Sequence, residues 1–501
     1  MAYIHAVKTA SGARAVQIVH SSRKGSRDIE HIGSAHTDTE LELLKTTARQ
    51  RLLAGQQEPD PGLDPAPTQG GPPPITATRA GHLTDALTTA YTALGFDQAS
   101  GGDKVFAHLV PARTIEPTSK IDSLRVLAET GIASVSYRTL KRRLPDYSTP
   151  TFREHLAAAC ARHTHLGPAT LVLYDVTTLY FETDTGDGFR ESGFSKERRL
   201  EPQITPGLLT DAAGFPLMVN AFEGNKAETT MLPTLKAFMA AHRLREVTVV
   251  ADAGMVSDAN MRAIEAEGLS FILGMRVPDI PYPVKERRQA HPGQEIPDRH
   301  VFTQPRPAGP ADGRKDQVRY YRYSADRARR TLKGIDEQVR KAEQAVAGKA
   351  AVKRNRFVQL TGAAKSVNRA LEARARALAG IKGYVTNIAD PTPEFVIGAY
   401  HRLFEIEKSF RTAESDLAAR PVYHHTRDSI GAHLTVVFAA LAVSRRVEDA
   451  TGWSIKEFVR TLRRYRTVQI EVGGHTVTAA DPLPDEVRQV LEAIKARATA
   501  H

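Results

Sequence analysis

Two aspartates occupy positions where the surrounding residues are apolar. Asp175 ends the run Leu-Val-Leu-Tyr-Asp of residues 171–175, and Asp252 lies in the run Val-Val-Ala-Asp-Ala-Gly of residues 249–254. A carboxylate within an apolar strand costs free energy unless it pairs with a cation or binds a metal. Either residue alone could cap the element that follows it. Two such residues on strands that we expect to be neighbours predict a site built from carboxylates.

Glu407 is the candidate for a third carboxylate. It lies in a predicted helix whose apolar packing comes from Phe404, Ile406 and Phe410. The alternative interpretation is a surface glutamate bonded to Arg411 one turn later. Three clustered carboxylates in a partly buried site would repel by about 4 kcal/mol per close pair at an effective dielectric constant of about 20. A divalent cation removes that repulsion, and oxygen ligands without Cys or His favour Mg²⁺ or Mn²⁺.

The residue pattern also predicts the elements that would position these carboxylates. Residues 170–181 are rich in β-branched and aromatic side chains, which is typical of a strand. Downstream, the pattern predicts a hairpin at 204–209 and 216–222, a helix at 228–242, a strand at 247–254, a helix at 258–267, a strand at 269–275, a strand at 383–388, and helices at 393–414 and 430–447. An antiparallel meander followed by parallel crossover units indicates a ribonuclease-H-like α/β core.

The positive charge of the chain is concentrated in one segment. The formal net charge is +11, and residues 313–382 hold 19 Lys/Arg against 6 Asp/Glu, a net +13, so the remainder sums to −2. Concentrated Lys and Arg attract a polyanion through counterion release, although a solvated pair of basic helices has the same composition. The pattern predicts two charged helices here, at 326–347 and 366–379. We predict that this segment contacts the DNA backbone through cations such as Arg327, Arg330 and Lys333.

The predicted fold class is α/β, with a ribonuclease-H-like catalytic core interrupted by a large insertion domain. A small N-terminal β/α module and a helical domain precede the core. The predicted boundaries are 1–55 for the N-terminal module, 56–75 for a Pro/Gly-rich linker, 76–166 for the helical domain, 167–277 and 383–448 for the core, 278–382 for the basic insertion domain, and 449–501 for a C-terminal helical segment.

The predicted helical domain contains a candidate DNA-binding motif. Residues 121–131 and 134–144 have the pattern helix, glycine turn, helix, with the basic helix in the recognition position. Two packed helices with one basic face are the alternative interpretation. The candidate DNA contacts are Arg138, Lys141 and Arg142 in this helix and Lys226 in a turn of the predicted core.

Three short motifs resemble those of a known family. They are residues 174–178 (Tyr-Asp-Val-Thr-Thr), 250–255 (Val-Ala-Asp-Ala-Gly-Met) and 400–411 (Tyr-His-Arg-Leu-Phe-Glu-Ile-Glu-Lys-Ser-Phe-Arg). They look like the three acidic motifs of the DDE transposases of bacterial insertion sequences. The chain resembles in particular the branch with a Tyr-Arg-Glu-Lys signature and a large insertion between the second Asp and the Glu. Spacings of 77 residues from Asp175 to Asp252 and 155 residues from there to Glu407 fit that branch, and the resemblance covers residues 171–444.

The resemblance implies that Asp175, Asp252 and Glu407 are catalytic and hold two Mg²⁺ or Mn²⁺ ions, with Asp175 bridging them. Such a pair, about 4 Å apart, activates water and stabilises the leaving 3′ oxygen. The freed 3′-OH would then attack target DNA. In the family, Arg follows the Tyr three residues later and Lys fourteen residues later, but here positions 403 and 414 hold Leu and Glu. The DNA contacts that we expect around this motif are Tyr400, Arg402 and Arg411.

Two other functions fit the same residues: a nuclease that only hydrolyses DNA, and a DNA-binding protein from a decayed transposase. A single cysteine excludes an internal disulfide framework. No stretch approaches the roughly 18 to 20 uncharged apolar residues of a membrane span, and the first residues lack a secretory apolar region. We therefore expect a cytoplasmic protein with no membrane partner, associated with the nucleoid when it binds element ends and target DNA, and a homodimer or larger assembly on DNA.

Overall fold

The computed structural model forms two compact units. One comprises Met1–His163 and Arg411–His501, and the other comprises Thr164–Phe410. The structure describes residues 2–9, 12–21, 27–54, 74–133, 135–166, 170–183, 185–193, 201–226, 231–242, 247–252, 257–309, 312–349, 355–361, 364–420, 422, 424–472 and 475–499. Most of the predicted linker at 56–75 lies outside these residues.

The first unit begins with a three-stranded antiparallel sheet covered by one helix. Its elements are β1 Ala2–Lys8, β2 Arg14–Ser21, β3 Arg27–Ala35 and α1 Asp38–Ala54. The helix packs on the sheet around a small core of Val16, Ile18, Ala35, Leu41 and Ala48. These strands and this helix have the β/α composition that we predicted for the N-terminal module.

One short strand and six helices follow. They are β4 Ile75–Arg79, α2 Gly81–Ala93, α3 Phe96–Ala99, α4 Lys104–Ile115, α5 Asp122–Glu129, α6 Tyr137–Ser148 and α7 Pro150–His163. The predicted helix-turn-helix pattern is confirmed as α5 and α6. The turn contains Gly131 at φ +80°, where a Cβ would lie 2.2 Å from the Cβ of Arg79. Only glycine fits this close approach of the turn to β4.

The second unit is an α/β structure around one mixed sheet. Its elements are β5 Thr170–Val176, β6 Leu179–Tyr180, β7 Gln203–Asp211, β8 Pro216–Glu223, α8 Met231–His242, β9 Val247–Ala251, α9 Asp258–Ala266, β10 Ser270–Met275, α10 Tyr282–Ala290, β11 Val301–Arg306, β12 Gln317–Tyr323, α11 Ala325–Val346, β13 Val358–Thr361, β14 Ala364–Val367, α12 Arg369–Ala377, β15 Ile381–Thr386, α13 Pro393–His401 and α14 Leu403–Arg411, whose last residue belongs to the first unit. The strand order is β11-β12-β15-β10-β9-β5-β7-β6, with β8 paired to β7. Strands β5, β9 and β10 run parallel in the centre, and the flanking strands are antiparallel.

The predicted order of strands and helices in the core is confirmed, with two differences in detail. The strand predicted at 170–181 is interrupted after Val176 and resumes as β6. The helix predicted at 393–414 is divided at Arg402 into α13 and α14 and ends in a π-helical turn at Thr412–Asp416. Both interruptions lie beside residues of the predicted acidic motifs.

The basic segment contributes strands to the main sheet. Strand β12 pairs antiparallel with β15, and β11 pairs with β12, so the sheet continues into residues that we predicted to form an insertion domain at 278–382. The predicted charged helices are confirmed as α11 and α12. Outside the sheet, α11 packs with the hairpin β13–β14 around Ile335, Val339, Ala342 and Phe357. That hairpin was not predicted.

The chain then completes the first unit. The remaining elements are α15 Arg427–Thr451, α16 Ile455–Leu462, β16 Thr467–Val472, β17 His475–Ala480 and α17 Asp485–Thr499. Helix α15 is buried on all sides from Ile430 to Val447 and packs against α2, α4, α6 and α17. We predicted that the core extends to residue 448, but this burial on every face groups α15 with the first unit. By length and composition α15 could cross a membrane, but its apolar window is wholly buried, as in the core of a soluble protein.

The C-terminal segment at 449–501 was predicted to be helical, which is wrong for its middle part. Strands β16 and β17 form a hairpin there, and β16 pairs antiparallel with β4. Alternating Thr and Val side chains favour strands at these positions. The partner strand also corrects the predicted all-helical domain at 76–166, because β4 occupies its first residues.

Candidate active site

Asp175 lies in β5, and Asp252 directly follows the neighbouring strand β9. Strands β5 and β9 are parallel, and their register pairs Leu173 with Val250. Continuing that register by two residues places Asp175 opposite Asp252, so the spacing of 77 residues in the sequence equals the offset of the register. Residues paired across neighbouring strands share a face of the sheet. Both carboxylates therefore lie on one face at the carboxyl ends of the strands, as the sequence predicted.

The same row of residues continues across the sheet. Leu273 of β10 pairs with Ala251, so the next residue, Gly274, follows Asp252 in the row. Gly274 in turn pairs with Tyr384 of β15. A Cβ on this glycine would lie 2.6 Å from the ring and the hydroxyl oxygen of Tyr400. The absence of a side chain at Gly274 thus leaves the space that Tyr400 occupies.

Tyr400 of α13 contacts the residues on both sides of Gly274 in this row. Its hydroxyl donates a hydrogen bond to Oδ1 of Asp252. Its ring packs edge-on against Tyr384, with 5.0 Å between the centroids and 72° between the planes. Burial raises the pKa of Tyr400, and its hydrogen bond to Asp252 and the charge of Asp175 raise it further. The hydroxyl therefore stays protonated and acts as a donor that fixes the Asp252 carboxylate.

A cation from the neighbouring strand covers the tyrosine ring. The Lys382 Nζ atom lies 4.1 Å from the centroid of the Tyr400 ring and 5.9 Å from that of Tyr384. Burial lowers the pKa of Lys382, and Arg327 lowers it further, whereas Asp252 and Glu407 raise it. The ammonium group is thus within electrostatic reach of two of the three predicted carboxylates. Lys382 lies in the basic segment, and its place beside Tyr400 was not predicted from the sequence.

Two arginines accompany this lysine. Arg322 of β12 is its direct partner across the antiparallel pair with β15. Burial raises the pKa of Tyr384, and the nearby charge of Arg327 of α11 lowers it. Burial lowers the pKa of His401, and Arg322, Lys382 and Arg327 lower it further. We call Arg322, Arg327 and Lys382 the cation group, and Asp175, Asp252 and Glu407 the acidic site.

Glu407 is exposed on α14. Two residues further, Ser409 is buried and donates a hydrogen bond to the carbonyl oxygen of Gly214, at 2.7 Å, which anchors the helix to the β7–β8 turn. Glu407 lies close enough to Lys382 to raise the pKa of that lysine, as Asp252 does. Among the described residues, which omit 253–256 directly after Asp252, no three His, Cys, Asp or Glu side chains are close enough to hold a metal ion. The assignment of Glu407 as a ligand stays a prediction.

The predicted DNA contacts are distributed over several surfaces. Exposed cations lie on α6 (Arg138, Lys141, Arg142), on α11 (Arg330, Lys333), at the junction of α13 and α14 (Arg402), at the end of α14 (Arg411) and in the turn after β8 (Lys226). On α6, the adjacent Arg143 instead donates at 3.0 Å to Asp103, the N-cap of α4, so it fixes the helix in place. Of the predicted contacts, the structure brings Tyr400 to the acidic site, where it bonds Asp252, and brings Arg327 close to Lys382. DNA binding by any of them stays a prediction.

The first unit contains a different charged group, which we call the histidine cluster: Arg113, Lys120, His424 and His433. Arg113 lies 3.4 Å from Nδ1 of His433, whose Nε2 lies 3.2 Å from the carbonyl oxygen of Ala419. The two imidazole rings are 5.2 Å apart. Burial lowers the pKa of His424 to about 4 and that of His433 well below its usual value, and the nearby cations add to both shifts.

The fold and the row of carboxylates define an α/β protein with an acidic site at the carboxyl ends of its central parallel strands. Residues 166–443, more than half of the chain, match the family model described as the Transposase DDE domain, and the chain therefore belongs to the DDE transposase family. The match supports an enzyme of the nuclease and transposase kind that acts in DNA transposition.

Comparisons with individual proteins add little. Among solved structures, a piggyBac transposase synaptic complex with hairpin DNA, determined by cryo-EM, is similar with a TM-score of 0.38 and 12% sequence identity. The match covers 84% of this chain and 75% of the other. A similarity at this level supports no conclusion about fold or partners. No curated protein matches the sequence.

Proposed function

We propose that this protein cuts DNA at the ends of an insertion sequence and joins the freed 3′-OH to target DNA. The observation that carries the proposal is the pair Asp175 and Asp252, held in register on adjacent parallel strands of a DDE transposase domain. The parallel centre of the sheet, flanked by an antiparallel meander, supports a ribonuclease-H-like assignment of the core. Glu407 supplies the third carboxylate.

The residues at the site suit a hard divalent cation. Carboxylate oxygens are the ligands that Mg²⁺ and Mn²⁺ prefer, and the side chains of Asp252 and Glu407 are exposed. Asp175, Asp252 and Glu407 would hold two such ions. When bound, these ions supply an activated water and stabilisation of the leaving 3′ oxygen.

The protein's own groups prepare the site in defined ways. The Tyr400 hydroxyl fixes Oδ1 of Asp252, so this carboxylate has one orientation before substrate arrives. The strands hold the two aspartates, and Gly274 allows α13 to approach the sheet closely enough for that bond. Exposed cations on α6 and α11 would hold the DNA backbone, and two or more copies of the chain would bring the element ends together.

The test uses the purified protein, Mg²⁺ and duplexes that carry the two ends of the DNA element encoding this chain. Nicked, excised and joined products are resolved by electrophoresis. We expect Asp175→Asn, Asp252→Asn and Glu407→Gln each to lower cleavage on the order of 10⁴-fold while binding to the ends persists. Near wild-type turnover in any of the three would remove that residue from the catalytic set.

Metal replacement supplies the control for the proposed ions. We expect Mg²⁺ and Mn²⁺ to support cleavage after removal of metals with EDTA. Calcium should support DNA binding without turnover, because its looser coordination poorly enforces the required geometry. Cleavage without joining would identify a nuclease, and binding without cleavage by the wild-type protein would identify a decayed transposase.

A further inference from the structure

The cation group lies on the same face of the sheet as the acidic site. Lys382 is two residues from Tyr384 along β15, so both side chains lie on the face that also carries Asp175 and Asp252. Its Nζ atom lies 4.1 Å from the centroid of the Tyr400 ring, and the hydroxyl of that ring is bonded to Asp252. One tyrosine therefore separates a lysine from a predicted catalytic carboxylate.

This arrangement concentrates like charges. Lys382 and Arg322 face each other directly across an antiparallel strand pair, where two cations repel. Arg327 adds a third positive charge close to Lys382. Asp252 and Glu407 offset part of the repulsion, but their proposed role is to bind metal ions. Once cations occupy the acidic site, the three basic side chains require another anion.

The positions of Lys382, Arg322 and Arg327 suit a direct contact with the bound DNA substrate better than a long-range attraction of DNA to the protein surface. Lys382 and Arg322 lie on strands of the main sheet, and Arg327, near the start of α11, lies within electrostatic reach of Lys382 and Tyr384. By contrast, the neighbouring Arg329 is ion-paired with Asp326. In addition, Leu403 and Glu414 occupy the positions at which the Tyr-Arg-Glu-Lys signature has Arg and Lys. Glu414 is ion-paired with Arg420.

We propose that Lys382, assisted by Arg322 and Arg327, binds the scissile phosphate of DNA beside Asp252. The ammonium group would contact a non-bridging oxygen and stabilise the negative charge that grows there in the transition state. This inference rests on the proposed function. It names a phosphate-contacting residue outside the motifs that identify the family.

The simplest competing role for Lys382 is that of a counter-ion for the carboxylates. In that role it would neutralise Asp252 and Glu407 before metal binds, and it would leave the site without touching DNA. Removing a counter-ion should tighten Mn²⁺ binding and leave cleavage at saturating metal unchanged. Removing a phosphate-binding group should lower cleavage even at saturating metal.

The experiment compares wild type, Lys382→Met and Lys382→Arg on duplexes of the element ends at saturating Mg²⁺. Each duplex is made with an ordinary phosphodiester and with a neutral methylphosphonate at the scissile position. On the ordinary duplex we expect Lys382→Met to lower the single-turnover cleavage rate by about 10²-fold, the effect of removing one group that stabilises transition-state charge. Lys382→Arg should retain most of the rate. On the methylphosphonate duplex the wild type and Lys382→Met should agree within about twofold, because the partner charge is gone.

Lys456→Met, which removes a similar charge from an exposed position of α16, is the matched control and should cleave both duplexes like wild type. Thermal unfolding of each variant checks that the fold is retained. Equal loss of rate by Lys382→Met on both duplexes, or no loss at all, would overturn the inference while leaving wild-type transposition intact. If the wild type itself fails to cut, the proposed function fails instead.

Discussion

The acidic site with its cation group and the histidine cluster use charge in opposite ways. In the second unit, carboxylates and cations lie near each other and several are open to solvent, as the exposed Asp252 and Glu407 show. In the first unit, Arg113, His424 and His433 are all less than a tenth exposed. Burial keeps the two imidazoles neutral, so they act as packed hydrogen-bonding groups. The comparison indicates that balanced, accessible charge marks the functional region, whereas buried basic groups stabilise the fold.

The largest effect that we predict is a loss of folding stability at acid pH, which tests the contrast between the two charged groups. The pKa of His424 is about 4 in the folded protein, against about 6.5 when unfolded, so the unfolded chain takes up the proton first as pH falls. The contribution of neutral His424 to the free energy of unfolding is therefore complete above pH 6.5. It declines between pH 6.5 and 4, by about 3 kcal/mol in all. Urea unfolding at pH 7 and pH 4.5 should show this loss in the wild type and a smaller loss in His424→Gln.

His155→Gln is the matched control for that measurement, since its side chain is exposed and is not among the charges that shift the pKa of His424. It should keep the wild-type dependence on pH. An identical acid response in wild type and His424→Gln would mean that His424 is not held neutral, and the contrast between the two charged groups would break down.

The next effect tests the close approach at Gly274. An added methyl group would lie 2.6 Å from the Tyr400 ring, which is held by Tyr384 and Lys382 and cannot move without losing its bond to Asp252. We expect Gly274→Ala to lower cleavage by about 10²-fold, as misplacement by about 1 Å does elsewhere. Gly398→Ala, whose Cβ would meet nothing within 4 Å, should cleave normally. Full activity of Gly274→Ala would show that the position of Tyr400 is unimportant.

A smaller effect is expected when only the hydroxyl is removed. Tyr400→Phe keeps the ring beneath Lys382 but leaves Asp252 without its donor. We predict about a tenfold lower cleavage rate, which corresponds to a hydrogen bond to a charged group. Tyr282→Phe, at an exposed tyrosine, is the control. Unchanged turnover by Tyr400→Phe would mean that the strands alone orient the carboxylate.

The smallest effect concerns the exposed cations of α11. Reversal of Arg330 and Lys333 to Glu should weaken binding to all DNA sequences alike and flatten the plot of log K against log salt by about 0.9 for each phosphate that is no longer neutralised. Alanine substitution of Arg138 and Arg142 on α6 should instead reduce the preference for element ends, if that helix reads bases. Filter binding to end and random duplexes at several salt concentrations measures both. An unchanged slope would mean that α11 is only a solvated face.

The sequence predicted the two aspartates because each interrupts an apolar run typical of a strand, which is a local signal. It did not predict the role of Lys382, because that role depends on the pairing of β15 with β10 and β12 and on the approach of α13. The basic segment also hid this role, because composition alone does not distinguish Lys382 from the other residues among its 19 Lys/Arg. The β16–β17 hairpin was missed for a related reason: its partner β4 belongs to a distant part of the sequence.

That pairing of β4 with β16 has a consequence for synthesis of the protein. The Thr76 hydroxyl donates to the carbonyl oxygen of Gln469, a partner 393 residues later in the chain. During translation, Thr164–Phe410 emerges from the ribosome in full before β16 exists, and domains generally fold as units while the chain is made. The first unit must therefore wait, with the face of α2 that receives α17 uncovered, until Asp485–Thr499 has been synthesised. A prematurely terminated chain would contain every carboxylate of the acidic site and still lack the completed first unit.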